Sequence, residues 1–140
     1  MPNVKRSSEG LALQVTRPAR DAGLVDENSD GEATRRAEVW VYGFDGLLLV
    51  VDAVRVSATD RADIVSTAAS DSGSMFGGYQ SKLAPAGNGY QVQLPGAFDA
   101  GFSEGDGTEV LTKRGLLVIH DGSNHRLASD LVTLRAEQEN

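Results

Sequence analysis

His120 and His125 are the two histidines of the chain, and Asp121 stands between them. Neutral imidazole and carboxylate both ligate divalent ions, so the run has the residue types of a metal site. It lacks a third and fourth ligand at a recognised spacing. Both histidines are therefore expected as surface turn residues, with no metal and no cofactor. Asp71-Ser72-Gly73 has the Asp-Ser/Thr-Gly of aspartic proteases. That chemistry needs two aspartates sharing a proton in a water-excluded cleft. Here the flanks are Ala69-Ser70 and Ser74-Met75 in a Ser/Gly-rich stretch, with no second such motif to match. No Gly-x-Ser-x-Gly elbow supports a Ser-His-Asp triad. Gly87-Asn88-Gly89 is too short for a dinucleotide loop and no helix is expected after it. The chain has no cysteine, which excludes disulfides, thiol catalysis and Cys-based zinc sites. These readings predict no enzyme.

A second chemistry is that of phosphate. Lys5, Arg6, Arg17, Arg20, Arg35 and Arg36 all fall in the first third of the chain, outside its apolar runs. Such residues contact phosphates, and an arginine among them reaches a base edge. The opposing reading is that they balance Asp26, Glu27, Asp30 and Glu32 nearby. Lys113-Arg114 is expected as a plain exposed turn. The formal net charge is −7, which on its face argues against nucleic acid. Only three lysines stand among the 13 basic residues, and 12 of the 20 acids are aspartates. That balance is the compositional habit of salt-adapted, halophilic proteins, in which local basic clusters carry more information than the total. Among the aromatics, Phe76 and Tyr79, beside glycines, are expected as an exposed pair able to dock a partner protein.

The elements that must position these residues recur in order. At an offset of 77 positions, Lys5, Gly10, Gln14, Val15 and Pro18 fall on Lys82, Gly87, Gln91, Val92 and Pro95. Asp21-Ala-Gly-Leu24 then meets Asp99-Ala-Gly-Phe102, and Gly46-Leu-Leu-Leu-Val50 meets Gly115-Leu-Leu-Val-Ile119. A unit this short cannot bury its own apolar face, so the two copies are expected to fold against each other. Gly10 to Thr16 alternates as a strand that Pro18 ends. Pro18 to Gly23 reads as one helical turn, and Val25 to Arg36 as a polar, acidic loop. Glu38 to Tyr42 and Leu47 to Val51 form a hairpin, the second strand apolar throughout and so buried on both faces. The second copy repeats this, with strands at 89–94, 109–111 and 116–120. Thr59 to Ala69 is expected as a short helix capped by Thr59, Ser70 to Gly78 as linker, and Ser129 to Gln138 as a C-terminal helix with Leu131 and Leu134 inward. The predicted organisation is repeat 1 at 3–54, linker at 55–79, repeat 2 at 80–122 and tail at 123–140.

Gly89-Tyr-Gln-Val-Gln-Leu-Pro95, Phe98, Gly101-Phe102, Gly105-Asp106, Val110, Gly115 and Leu116-Leu-Val-Ile119 together resemble the AbrB/SpoVT swapped-hairpin family. The resemblance covers roughly 40 residues here and, more loosely, the first copy. It implies a mostly β fold: a small barrel of two swapped-hairpin-like repeats with short helical turns. It also implies a DNA-binding transcriptional regulator that uses basic residues near the first strand and the turn after it. Two copies in one chain imply a monomeric pseudo-dimer, with a homodimer as the alternative. The second copy departs from the pattern, with Asp99 where the family places an arginine. The first copy keeps Arg17 and Arg20 around Pro18 but has Asp30-Gly31 where the family has Gly-Asp. The first copy is thus the expected DNA face. The alternative function is a protein-interaction module, antitoxin-like or a scaffold barrel, without DNA binding. The apolar runs are too short to cross a bilayer and no secretory leader is recognisable, so the expected location is cytoplasmic.

Overall fold

The computed structural model describes residues 4–7, 10–30, 33–44, 46–72, 78–82, 84–86, 89–95, 108–120, 122 and 124–138; in 4–7, 10–14, 33–36, 72, 84–86, 89 and 92–95 the backbone alone is described. Eleven strands and three helices are present among them. In chain order these are β1 Val4–Ser7, β2 Gly10–Gln14, α1 Thr16–Asp21, β3 Val25–Glu27, β4 Ala33–Arg36, β5 Glu38–Phe44, β6 Leu47–Asp52 and α2 Ala58–Ser72. β7 Gly78–Lys82, β8 Ala84–Ala86, β9 Gly89–Pro95, β10 Glu109–Lys113, β11 Leu116–His120 and α3 His125–Gln138 follow.

The two hairpins are built alike. In β5–β6, Val41 lies opposite Val50; in β10–β11, Val110 lies opposite Ile119. Val50 and Ile119 are positions that the sequence repeat equates, and Val41 and Val110 stand at the same offset. Each hairpin turn carries a glycine at positive φ, Gly46 at 74° and Gly115 at 79°, a conformation that side chains with a Cβ rarely adopt. The hairpins then join through their apolar strands: β6 runs antiparallel to β11, with Leu49 opposite Val118. The first strands join in the same way, β2 to β9, with Gln14 opposite Gln91. In both junctions a residue faces its own repeat equivalent, as across a two-fold axis.

The result is a five-stranded antiparallel sheet in the order β10-β11-β6-β5-β7, a four-stranded sheet β1-β2-β9-β8 and a ribbon β3-β4. Both faces of β6 and β11 are buried, as their unbroken apolar sequences require. Alternate residues divide between two cores. Leu48, Val50, Leu117 and Ile119, with Val39 and Val41, pack against Val15, Ala19, Leu24 and Tyr90 from the α1 side. Leu47, Leu49, Val51, Leu116 and Val118 pack against Ile64 and Ala68 of α2 and Leu127, Ala128 and Leu131 of α3.

Several expectations change here. The chain is mixed α and β rather than mostly β, because α2 and α3 are 15 and 14 residues long and form a full layer on the sheet. Leu127 and Ala128 extend the apolar stripe of α3 by a turn before Ser129, and Ser57, not Thr59, accepts the Asp60 N–H at the head of α2. The sheet ladders are open: β10 and β7 are edges, and no ladder among the described residues closes a barrel. The helix expected at 59–69 is present and runs on to Ser72, into the stretch expected as linker, and Gly78 at the end of that stretch starts β7, which pairs with β5. The acidic loop also contains the ribbon β3-β4.

The turn after β6 is held by Asp52, fully buried, whose Oδ1 accepts the N–H groups of Val54 and Arg55 at 2.8 and 3.0 Å. This is the aspartate-capped turn that a short acceptor side chain makes with its own backbone.

Candidate nucleic-acid interface

α1 carries the two arginines that the first copy keeps. Val15 anchors its start: the Val15 N–H donates to the Tyr90 carbonyl at 2.9 Å, and the Tyr90 N–H donates to Thr16 Oγ1 at 3.0 Å. Arg17 then lies on the exposed face of the helix. Arg20 is one turn further and makes a two-pronged bond with Glu27 on β3, Nε to Oε1 at 2.7 Å and Nη2 to Oε2 at 3.0 Å. The Tyr90 hydroxyl donates to the same carboxylate at 3.1 Å, and the Arg20 guanidinium lies 5.9 Å from the Tyr90 ring centre.

The acids of β3 are thus met by cations. Glu27 faces Arg20, and Asp26 lies 3.8 Å from Arg55. Across the ribbon, Arg35 is opposite Asp26 and Arg36 opposite Val25. On backbone placement Arg35 and Arg36 lie beside β3, which packs on α1. Lys5 and Arg6 lie on β1, opposite Ala12 and Leu11 of the strand that leads into α1. The fold therefore gathers Arg17, Arg20, Arg35 and Arg36 around α1 and the ribbon, with Lys5 and Arg6 on the neighbouring sheet. The sequence offers balance of these acids by the nearby arginines as one reading, without saying which cation meets which acid. Their pairing with Arg20 and Arg55 depends on contacts that no local pattern carries.

The Arg20 bond holds the Glu27 carboxyl below its ordinary value of 4.5, with Tyr90 adding to the effect. A carboxyl depressed in the fold stabilises it above the unfolded value and loses that contribution as pH falls through the folded value. Wild type and Glu27→Gln are accordingly expected to differ in stability at neutral pH and to converge as pH drops below 4.5, measured by thermal denaturation across a pH series.

Tyr79, expected to be exposed, is half-buried on β7 and packs on the core opposite Val41. Burial pushes its hydroxyl up to about 12. Phe76 lies outside the described residues. On the opposite face of β5, Trp40 and Tyr42 stack with ring centres 6.2 Å apart, and the Arg61 guanidinium sits 4.8 Å over Trp40.

The histidines are not both turn residues. His120 is fully buried at the end of β11, while His125 opens α3 and is exposed. The hairpin register sets Glu109 opposite His120, supplying a third ligand type that linear spacing did not reveal. The turn glycine and the two apolar strands were the signal for it, because they already imply that register.

No helix among the described residues is long and apolar enough to cross a membrane. No family model, curated protein or solved structure matches the chain.

Proposed function

We propose that this chain is a DNA-binding regulator of the AbrB/SpoVT swapped-hairpin type, with two copies of the unit forming a pseudo-dimer within one polypeptide. The observation that carries the reading is the pairing of repeat equivalents, Gln14 with Gln91 and Leu49 with Val118. Two hairpin units joined through both their first and last strands are what an interleaved dimer becomes when its halves are fused. The sheets together would then stand for the family's barrel, with α2 and α3 added beneath it. DNA contact falls to repeat 1, where Arg17 is exposed and Arg35, Arg36, Lys5 and Arg6 lie on adjoining strands. Affinity is mainly electrostatic, and sequence choice comes from DNA shape and a few arginine contacts.

The test is retention of genomic DNA fragments by the purified protein across a salt series. Arg17→Ala is expected to weaken binding and to flatten the salt dependence by about one unit of slope, the loss of one phosphate contact. Glu27→Gln removes a negative charge and releases Arg20, so tighter binding with a steeper slope is expected. Binding that ignores both changes removes the site assignment. No retention at any salt removes the DNA reading and leaves a protein-interaction module as the alternative to pursue.

A further inference from the structure

We propose that Glu109, His120 and His125 form a binding site for a divalent transition-metal ion of the zinc class, a site that stands apart from the DNA-binding reading. Their ligand atoms all lie within 4.8 Å of one another. Glu109 Oε2 is 3.6 Å from His120 Nε2 and 3.8 Å from His125 Nδ1, and the two rings meet edge to face at 5.4 Å. These separations are too long for good hydrogen bonds. They are near those a tetrahedral ion imposes, since bonds of about 2.0–2.2 Å set ligand atoms roughly 3.3–3.6 Å apart.

The three ligands come from β10, β11 and the first residue of α3. His120 is the fixed member, its side chain wholly buried, whereas the Glu109 and His125 side chains are 51% and 65% exposed. Two exposed arms can therefore close on one buried imidazole without disturbing the core. Two imidazoles and one carboxylate favour zinc, cobalt, nickel or copper over magnesium and calcium, which take oxygen shells. Three protein ligands leave a fourth position for water.

The His120 ring couples this site to the turn that follows it. The Gly122 N–H donates to His120 Nδ1 at 3.0 Å, so the neutral ring carries its proton on Nε2, facing Glu109. An ion on Nε2 requires that proton to move to Nδ1, where it would oppose the Gly122 N–H. The Gly122 bond must then open. Gly122 has φ 101°, and a Cβ there would meet nothing within 4 Å, so there is open space beside Gly122 itself.

The test uses the full chain after chelator treatment, without DNA, so its result is independent of the DNA experiment. Zn²⁺ is titrated by calorimetry, Co²⁺ by visible absorption and Mg²⁺ as the control, with the Gly122 amide followed by NMR. The expected result is one Zn²⁺ per chain, a tetrahedral Co²⁺ spectrum, a displaced Gly122 amide signal and no response to Mg²⁺. His125→Ala and Glu109→Gln, both at exposed side chains, are each expected to weaken Zn²⁺ by at least the roughly 10- to 100-fold that loss of an outer-sphere partner costs. No Zn²⁺ binding by the wild type overturns the proposal. So does binding that both variants leave unchanged, which would place the ion elsewhere on the acidic surface.

Discussion

Leu49→Ala is expected to lower the stability of the chain by about 2–5 kcal/mol, the usual cost of removing a buried leucine to the β-carbon. Leu49 is fully buried in the middle of β6, opposite Val118, and faces the helix layer. Its neighbours in that core include Ile64 of α2 and Leu131 of α3, so the space it leaves is lined by three elements that cannot all relax into it. The loss is a large share of the roughly 5–15 kcal/mol that domains typically have. Urea denaturation checks it: the midpoint is expected to fall with the slope unchanged. Val54→Ala is the control, since Val54 is 77% exposed and its truncation is expected to stay within about 0.5 kcal/mol of wild type. A Leu49→Ala cost no larger than that of Val54→Ala would mean that the helices do not seal this face of the sheet.

Arg135→Met is expected to cost about 2–3 kcal/mol by removing hydrogen bonds rather than volume. Arg135 is buried on α3 and fastens three segments. Its Nε donates to the Arg114 carbonyl at 2.9 Å in the second hairpin turn, its Nη2 reaches the Arg55 carbonyl at 3.5 Å, and its Nη1 lies 3.5 Å from Asp60 Oδ2 on α2. Gln138, one turn on, donates to the Asp60 carbonyl at 3.1 Å and closes the same corner. Methionine fills much of the space but leaves those carbonyls without their donor, and the desolvation cost of such groups is what stability then loses. Arg135→Lys is expected to restore little, because an ammonium on a flexible stem lacks the planar fork that meets separate acceptors. Thermal denaturation of both variants beside Arg126→Met, at an exposed position of the same helix, separates the clamp from a general effect of charge. Equal melting of all three would show that α3 is held by its apolar face alone. The clamp also sets α3 against the second hairpin, and His125 is carried on that helix.

The parts of the fold legible in the sequence are those governed by local chemistry. Gly46 and Gly115 mark hairpin turns because few other residues adopt their φ. The unbroken Leu47 to Val51 and Leu116 to Ile119 mark strands covered on both faces because no polar alternation is left to meet water. Gly23, at φ 75°, marks the end of α1 because it tolerates the left-handed turn, while Pro18 marks only the first turn, since the helix begins two residues earlier at Thr16. The repeat of these signals implied two like hairpins, and the β5–β6 and β10–β11 registers agree with it.

The parts not legible are encounters between distant segments. By local pattern Thr59 is a cap and Ser70 to Gly78 a linker, yet α2 runs through to Ser72 because the apolar underside of β6 and β11 draws Ile64 and Ala68 onto it. β7 is strand because β5 offers an unpaired edge. Tyr79 is half-buried for the same reason, where its glycine-rich setting suggested exposure.

The sequence alone determined where the chain turns, which strands are apolar on both faces and that a unit occurs twice, because turn glycines, prolines and residue alternation act over a few neighbours. Only the tertiary structure decided that a helix layer covers one face of the sheet, that Glu27 holds Arg20 while Arg17 stays exposed, and that Glu109, His120 and His125 converge. Those outcomes depend on which surfaces meet after the hairpins join, and side chains brought together across 7, 11 and 16 positions of chain leave no periodic trace.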